Sequence, residues 1–124
     1  MTKRVLIADD EPNIVTSLEF LLEKAGYEVK IARTGDEALA LVESFAPDAV
    51  LLDVMMPSKS GYVVCREIRE NPAWRDIKII MLTAKGRDVE IDKGFALGAN
   101  AYITKPFSTK ELVTTVRDLV GGGA

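Results

Sequence analysis

The sequence predicts an α/β fold, a doubly wound sheet of five parallel strands built from five βα units. Three observations carry this. The runs Val5-Leu6-Ile7-Ala8, Ala49-Val50-Leu51-Leu52 and Ile79-Ile80-Met81-Leu82 are continuously apolar, as strands buried on both faces are. They alternate with segments whose apolar residues recur at helical spacing. Each run also ends on a polar group before a turn (Asp9, Asp53 and Thr83), and in open α/β sheets that carboxyl edge is where ligands bind.

Taken in order, Val5–Ala8 is the first strand, ended by Asp9-Asp10-Glu11. Pro12 opens a helix where its missing N–H is not needed, and Gly26 closes it. Ile14, Leu18, Leu21, Leu22 and Ala25 form the helix's expected inner stripe. Glu28–Ile31 alternates polar and apolar, a strand with one exposed face. Thr34 to Glu37 has the form of a capping box, with Ala38, Leu39 and Val42 facing inward. The Asp53 strand follows, then a turn through Met55, Met56, Pro57 and Gly61. A helix over Gly61–Arg69 has Val64, Cys65 and Ile68 as its stripe, and Asn71-Pro72 breaks it. The fourth strand is Ile77–Leu82, ended by Thr83-Ala84-Lys85. A polar, poorly capped fourth helix is expected over about 87–97, with Gly98 after it. Ala101–Thr104 is a half-exposed fifth strand, stopped by Lys105-Pro106. Ser108 to Glu111 caps a fifth helix lined by Leu112, Val116 and Leu119. Residues 1–120 thus read as one domain, with the glycine-rich 121–124 as a flexible end or a linker stump. The apolar strands belong in the centre and the alternating ones at the edges. With right-handed crossovers this gives the strand order 2-1-3-4-5, whose switch point lies between the first and third strands.

Composition narrows the chemistry. The chain has 124 residues, 48% hydrophobic and 28% charged, enough for one domain with a workable core. No apolar run approaches the roughly 20 residues of a membrane span. The start, Met1-Thr2-Lys3-Arg4, is too short to read as a secretory signal. The single Cys65 suits a reducing cytosol and reads as buried filler in a helical stripe, so a cytoplasmic location is expected. There is no histidine, so Ser–His and Cys–His nucleophile pairs cannot be built within the chain. A net charge of −3 and the lack of a basic stripe speak against direct nucleic-acid binding.

The expected topology brings Asp9, Asp10, Asp53, Thr83 and Lys105 to one face. Clustered carboxylates repel; two charges 4 Å apart cost roughly 4 kcal/mol at an effective dielectric of 20. Such a cluster calls for a cation, a lysine or shifted pKa values. A hard divalent ion suits it, since Mg²⁺ accepts a few carboxylates and several waters. Taken singly, each group has a plainer reading. Asp9-Asp10 could complement a helix dipole, Asp53 and Thr83 could merely end their strands, and Tyr102 could be an edge-strand aromatic.

Taken together, Asp9-Asp10, Asp53 followed by Met56-Pro57 and Gly61, Thr83-Ala84, and Tyr102 with Lys105-Pro106-Phe107 resemble the receiver domain of two-component response regulators, with correct spacing over essentially the whole chain. The resemblance implies a flavodoxin-like, chemotaxis-type fold. It implies that Asp53 accepts a phosphoryl group as an aspartyl-phosphate, and that Asp9, Asp10, Asp53 and the Met55 carbonyl hold Mg²⁺, for which Mn²⁺ could substitute. Lys105 would pair with the phosphate, Thr83 would bond another phosphoryl oxygen, and Lys105-Pro106 would be a cis peptide. Thr83 and Tyr102 would form a switch that relays the modification to the face made by the fourth helix, fifth strand and fifth helix. The implied partners are a histidine kinase or histidine phosphotransfer protein, and an output partner or fused effector domain. The implied activity is the chain's own aspartyl phosphorylation and dephosphorylation rather than ordinary turnover.

One departure stands out. The winged-helix DNA-binding regulators carry a charged dimer seam where this chain has Asn100, Ala101 and Thr115, so that dimer mode is not expected. Val89, Ile91 and Phe95 could offer an apolar partner surface or belong to the core. Other functions remain open at this level. One is a degenerate receiver that only binds partners. Another is a flavodoxin-like cofactor binder, although its phosphate loop would be the acidic Asp9-Asp10-Glu11-Pro12. An aspartate-nucleophile phosphatase would want a second acid where Met55 stands.

Overall fold

In the computed structural model of the chain, which describes residues 2–84 and 97–121, the strands are β1 (Arg4–Ala8), β2 (Glu28–Ala32), β3 (Ala49–Asp53), β4 (Lys78–Ala84) and β5 (Ala101–Lys105). All neighbouring pairs are parallel and the order is β2-β1-β3-β4-β5, as the strand character predicts. β3 is the central strand and every one of its residues is buried. Its hydrophobicity answers to two layers at once. Val50 and Leu52 pack into a core shared with α2 (Gly35–Phe45) and α3 (Gly61–Glu70), while Leu51 packs on the other face with α1 (Pro12–Lys24) and the C-terminal helix (Thr109–Val120). Fully burying one such leucine stabilises the fold by roughly 1.5–3 kcal/mol. No described helix is long and apolar enough to cross a membrane.

Helix starts follow the local chemistry. The Thr34 hydroxyl accepts from the Glu37 N–H, Ser60 from Val63 and Ser108 from Glu111. The Thr34 capping box is shifted by one residue on its return side, because Glu37 Oε1 accepts from the Arg33 N–H rather than from Thr34. α1 begins at Pro12 with no side-chain cap on its N-cap residue, Glu11.

The structure corrects four expected details. The fully buried residues of α1 are Val15, Leu18 and Leu22, while Ile14, Leu21 and the C-cap Ala25 pack against the same core but are only partly buried. β4 runs on through Thr83 and Ala84, because those residues still find partners on β5, Thr83 with Thr104 and Ala84 with Lys105. Lys105 is accordingly the last residue of β5 rather than part of the turn after it. β5 also lacks a clean alternation of burial, with Ile103 alone fully buried. After α3, the Asn71 side chain caps a short 3-10 turn over Pro72–Trp74. The helix expected over about 87–97, with Val89, Ile91 and Phe95, lies outside the described residues apart from Leu97. So do Lys85 and the glycine-rich end beyond Gly121.

Candidate functional site

Asp9 follows β1 and Asp53 ends β3, the two adjacent central strands, so both carboxylates arrive at the carboxyl edge of the sheet where the chain reverses its winding. Each is then held by the same local device. Asp9 Oδ1 accepts the N–H of Glu11 at 2.9 Å, and Asp53 Oδ1 accepts that of Met55 at 3.2 Å. Both are bonds from a carboxylate to the backbone two residues on, the turn-forming habit of aspartate. Asp9 is wholly buried and Asp53 is 5% exposed, whereas Asp10 is exposed. Carboxylate oxygens of Asp9, Asp10 and Asp53 all lie within 4.8 Å of one another.

Lys105 enters this cluster from the end of β5. Its ammonium lies 2.9 Å from Asp9 Oδ2, 3.1 Å from Glu11 Oε1 and 3.4 Å from Asp53 Oδ1. The Lys105–Pro106 peptide bond is cis. Burial works to lower the Lys105 pKa, but contact with Asp9 and the charges of Asp53 and Asp9 outweigh it and the pKa is raised. Asp53 is pushed up to about 6, by burial first and by the Asp9 charge second, against the opposing pull of Lys105 and the Met55 N–H. A carboxyl near 6 beside a buried second carboxylate is under strong pressure to find more positive charge.

The cluster fits a hard cation. Asp9 Oδ2 is buried and has the ion pair with Lys105 but no hydrogen bond of ordinary geometry, so one acceptor faces the site incompletely satisfied. The donors are all oxygens, with no thiolate or imidazole among them, which is the set Mg²⁺ takes and softer metals do not prefer.

The remaining predicted residues surround this centre. Thr83 is 2% exposed and lies one residue past Leu82, the β4 register partner of Asp53. Tyr102 pairs in register with Met81 and packs, partly buried, on the α2–α3 side of the sheet. By strand alternation Thr83 shares that face with Met81. Met55 is 65% exposed at the rim. The turn that carries it is braced from outside. Gly35 donates its N–H to Pro57 O at 3.2 Å, and Asp36 donates its N–H to Ser58 Oγ at 3.2 Å. Lys59 bridges Glu67 at 2.9 Å and Asp36 at 3.8 Å. Gly61 starts α3 directly against the backbone of Asp53 and donates its N–H to Val54 O at 2.9 Å.

Sequence reasoning missed Glu11 as a member of the cluster. Its signal was present in the acidic run Asp9-Asp10-Glu11, but only the fold shows that its side chain reaches Lys105, 94 residues away. Asn100 was noted only for the dimer seam it lacks. Its Oδ1 accepts both the Ile79 N–H at 2.8 Å and Arg69 at 2.7 Å, tying α3 and β4 to the segment before β5.

The sequence matches the response regulator receiver domain family over residues 5–117. The fold and sequence are similar to a candidate response regulator from Chloroflexus aurantiacus, with 39% identity over 97% of this chain and 98% of that one and a TM-score of 0.93. They are similar to the chemotaxis response regulator CheY4 of Vibrio cholerae, with 31% identity over 96% and 99% and a TM-score of 0.90. A third similar structure is the receiver domain of a sensor histidine kinase from Pseudomonas aeruginosa, with 31% identity over 98% and 100% and a TM-score of 0.89. That protein holds a magnesium ion coordinated in its active-site cleft.

Proposed function

Because this chain belongs to the response regulator receiver domain family, we propose that it is a phosphorylation-dependent signalling switch, with residues 1–120 as the receiver unit. The observation that carries the reading is the meeting of Asp9, Asp10 and Asp53 within 4.8 Å, with Lys105 seated among them.

In this reading an Asp53 carboxylate oxygen attacks the phosphorus of a phosphohistidine on a partner histidine kinase or histidine phosphotransfer protein. The P–N bond breaks, the imidazole nitrogen keeps the bonding pair, and the phosphoryl group stays on Asp53 as an acyl phosphate. Asp9, Asp10, Asp53 and the Met55 carbonyl would hold Mg²⁺ (or Mn²⁺ in its place), which when bound neutralises charge on the phosphoryl oxygens during in-line transfer. Lys105 exchanges its contact with Asp53 for a charge-assisted bond to a phosphoryl oxygen. The Thr83 hydroxyl donates to another. Its movement gives Tyr102, on the same face of the sheet, a second preferred packing, so the two residues form a two-state element biased by the modification. The signal then passes to β5 and the C-terminal helix, and to the helix expected over 87–97. The output acts on a protein partner or a fused effector domain in the cytoplasm, without direct nucleic-acid contact.

Mass spectrometry of the intact chain after incubation with Mg²⁺ and phosphoramidate tests the reading. One added phosphoryl group is expected, labile to hydroxylamine and absent in Asp53→Asn. Modification that persists in that variant moves the nucleophile elsewhere. No modification at all in the wild type favours a receiver that acts only by binding partners.

A further inference from the structure

On the α2–α3 side of the sheet, toward the C-terminal end of α3, the surface is hollowed into an open trough of about 430 Å³ lined by Leu39, Glu67, Glu70, Asn71, Pro72 and Trp74. This is a different place from the acidic site, which abuts the opposite end of α3 at Gly61. Three of the lining residues, Leu39, Pro72 and Trp74, are apolar. Leu39 and Trp74 pack against the core but remain partly exposed. The wall carrying Trp74 is set in advance. The Asn71 side chain accepts from Ala73 at 2.9 Å, Trp74 donates its N–H to Asn71 O at 3.0 Å, and Ile77 donates to Trp74 O at 3.1 Å. A turn whose backbone is already fixed by hydrogen bonds needs little backbone ordering when something covers it.

The charge of the trough is one-sided. Its two ionisable lining residues are both carboxylates, and among the described residues no lysine or arginine lines it. Glu67 spends part of its charge on Lys59, 2.9 Å away, but Glu70 is exposed to solvent. Glu43, one turn beyond Leu39 on α2, is exposed as well and extends the acidic rim. Carboxylates lining the same trough as a partly exposed indole suit a cationic side chain, which can pair with an acid or lie over the ring. The leucine and proline beside them suit an apolar neighbour of that cation.

We propose that this trough is a docking groove for a basic segment of a partner protein, one in which lysine or arginine flanks an apolar anchor. The occupant follows from charge complementarity. An acidic segment would meet like charge, and the chain's own net charge of −3 disfavours a second copy over a basic partner.

Trp74 is the chain's single tryptophan, so its emission reports on the groove directly. The test titrates the whole chain, at low and at physiological salt, with a short synthetic peptide of alternating lysine and leucine and with one of alternating glutamate and leucine. A saturating change in Trp74 emission is expected with the basic peptide only. Raising the salt should weaken it, and in Glu70→Lys the midpoint should rise about tenfold. Three results would overturn the proposal. The two peptides could act alike, which reduces the groove to non-specific apolar contact. The midpoint could be unchanged in Glu70→Lys. Or Trp74 emission could change with protein concentration alone, in step with self-association by sedimentation, which gives the groove to a second copy.

Discussion

The Lys105 ammonium sits 2.9 Å from Oδ2 of Asp9, a residue with no exposure to solvent. Breaking a buried pair by removing one partner leaves a charge uncompensated, at a cost of roughly 3 kcal/mol. Lys105→Ala is therefore expected to destabilise the metal-free protein by about that amount. It should also gain more from Mg²⁺ than the wild type does, because the ammonium no longer competes for the same carboxylates. Thermal melts with and without Mg²⁺ check this; equal Mg²⁺ shifts in the two proteins would contradict the competition.

Asp53 carries a pH signature. Its folded-state pKa is pushed up to about 6, above the ordinary 3.8 of the unfolded chain. Between those values the folded form binds more protons than the unfolded one, so stability falls as pH rises through the window and levels off above it. The size is roughly 3 kcal/mol for a shift of about two units. Asp53→Asn is expected to remove that fall and to be more stable than the metal-free wild type at neutral pH. Urea denaturation of both proteins from pH 4 to pH 7 measures the difference, and parallel curves would mean that Asp53 titrates normally.

Gly61 and the Asp53 carbonyl leave no room between them, since a side chain at Gly61 would collide with that backbone oxygen. Gly61→Ala is expected to destabilise by about 1–3 kcal/mol as the turn moves to make space. With Asp53 as the proposed phosphoryl acceptor, the variant should also form the acyl phosphate more slowly, because the same movement displaces that carboxylate. Denaturation and intact-mass time courses read the two effects separately. A destabilised variant that is phosphorylated at the wild-type rate would show that the turn relaxes without carrying Asp53 along.

Thr83 and Tyr102 are expected to separate chemistry from signal. Thr83→Ala should still accept the phosphoryl group, since Asp53 and its neighbours are untouched, but beryllofluoride should then move the NMR amides of β5 and the C-terminal helix much less than in the wild type. Tyr102→Ala should leave the mass shift intact and alter the response only in β5 and beyond. Full wild-type shifts in Thr83→Ala would break the hydroxyl link.

Much of this architecture was legible in the residues. The unbroken apolar runs of β1, β3 and β4 placed those strands in the interior, and the strand order followed. The acidic cluster was legible because Asp9, Asp10 and Asp53 stand at strand ends that the order makes adjacent. What stayed hidden depended on distance in three dimensions or on helix phase. Val15 is fully buried while Ile14 beside it is only partly so, a rotation of one position that apolar spacing does not resolve because both residues are apolar. The extension of β4 through Thr83 required knowing where β5 begins. Glu11 stands in the acidic run before α1, and only the placing of β5 brings Lys105 beside it. Neither strand's local pattern encodes such a pairing.

The two cores on opposite sides of the sheet bear on how this sequence can change over generations. Ile68 belongs to the core under α2 and α3, and Leu18 to the core under α1 and the C-terminal helix. With β1, β3 and β4 between them, residues in separate cores share no packing neighbours, and the energetic effects of such distant sites add within about 0.5 kcal/mol. Epistasis should therefore be confined largely to each side. A lineage could repack the α1 side to suit one partner while drift on the α2–α3 side, groove included, proceeds on its own schedule. The central strand is the exception. Val50, Leu51 and Leu52 are consecutive residues answering alternately to the two histories, which makes β3 the segment where the two sides' evolutionary constraints meet.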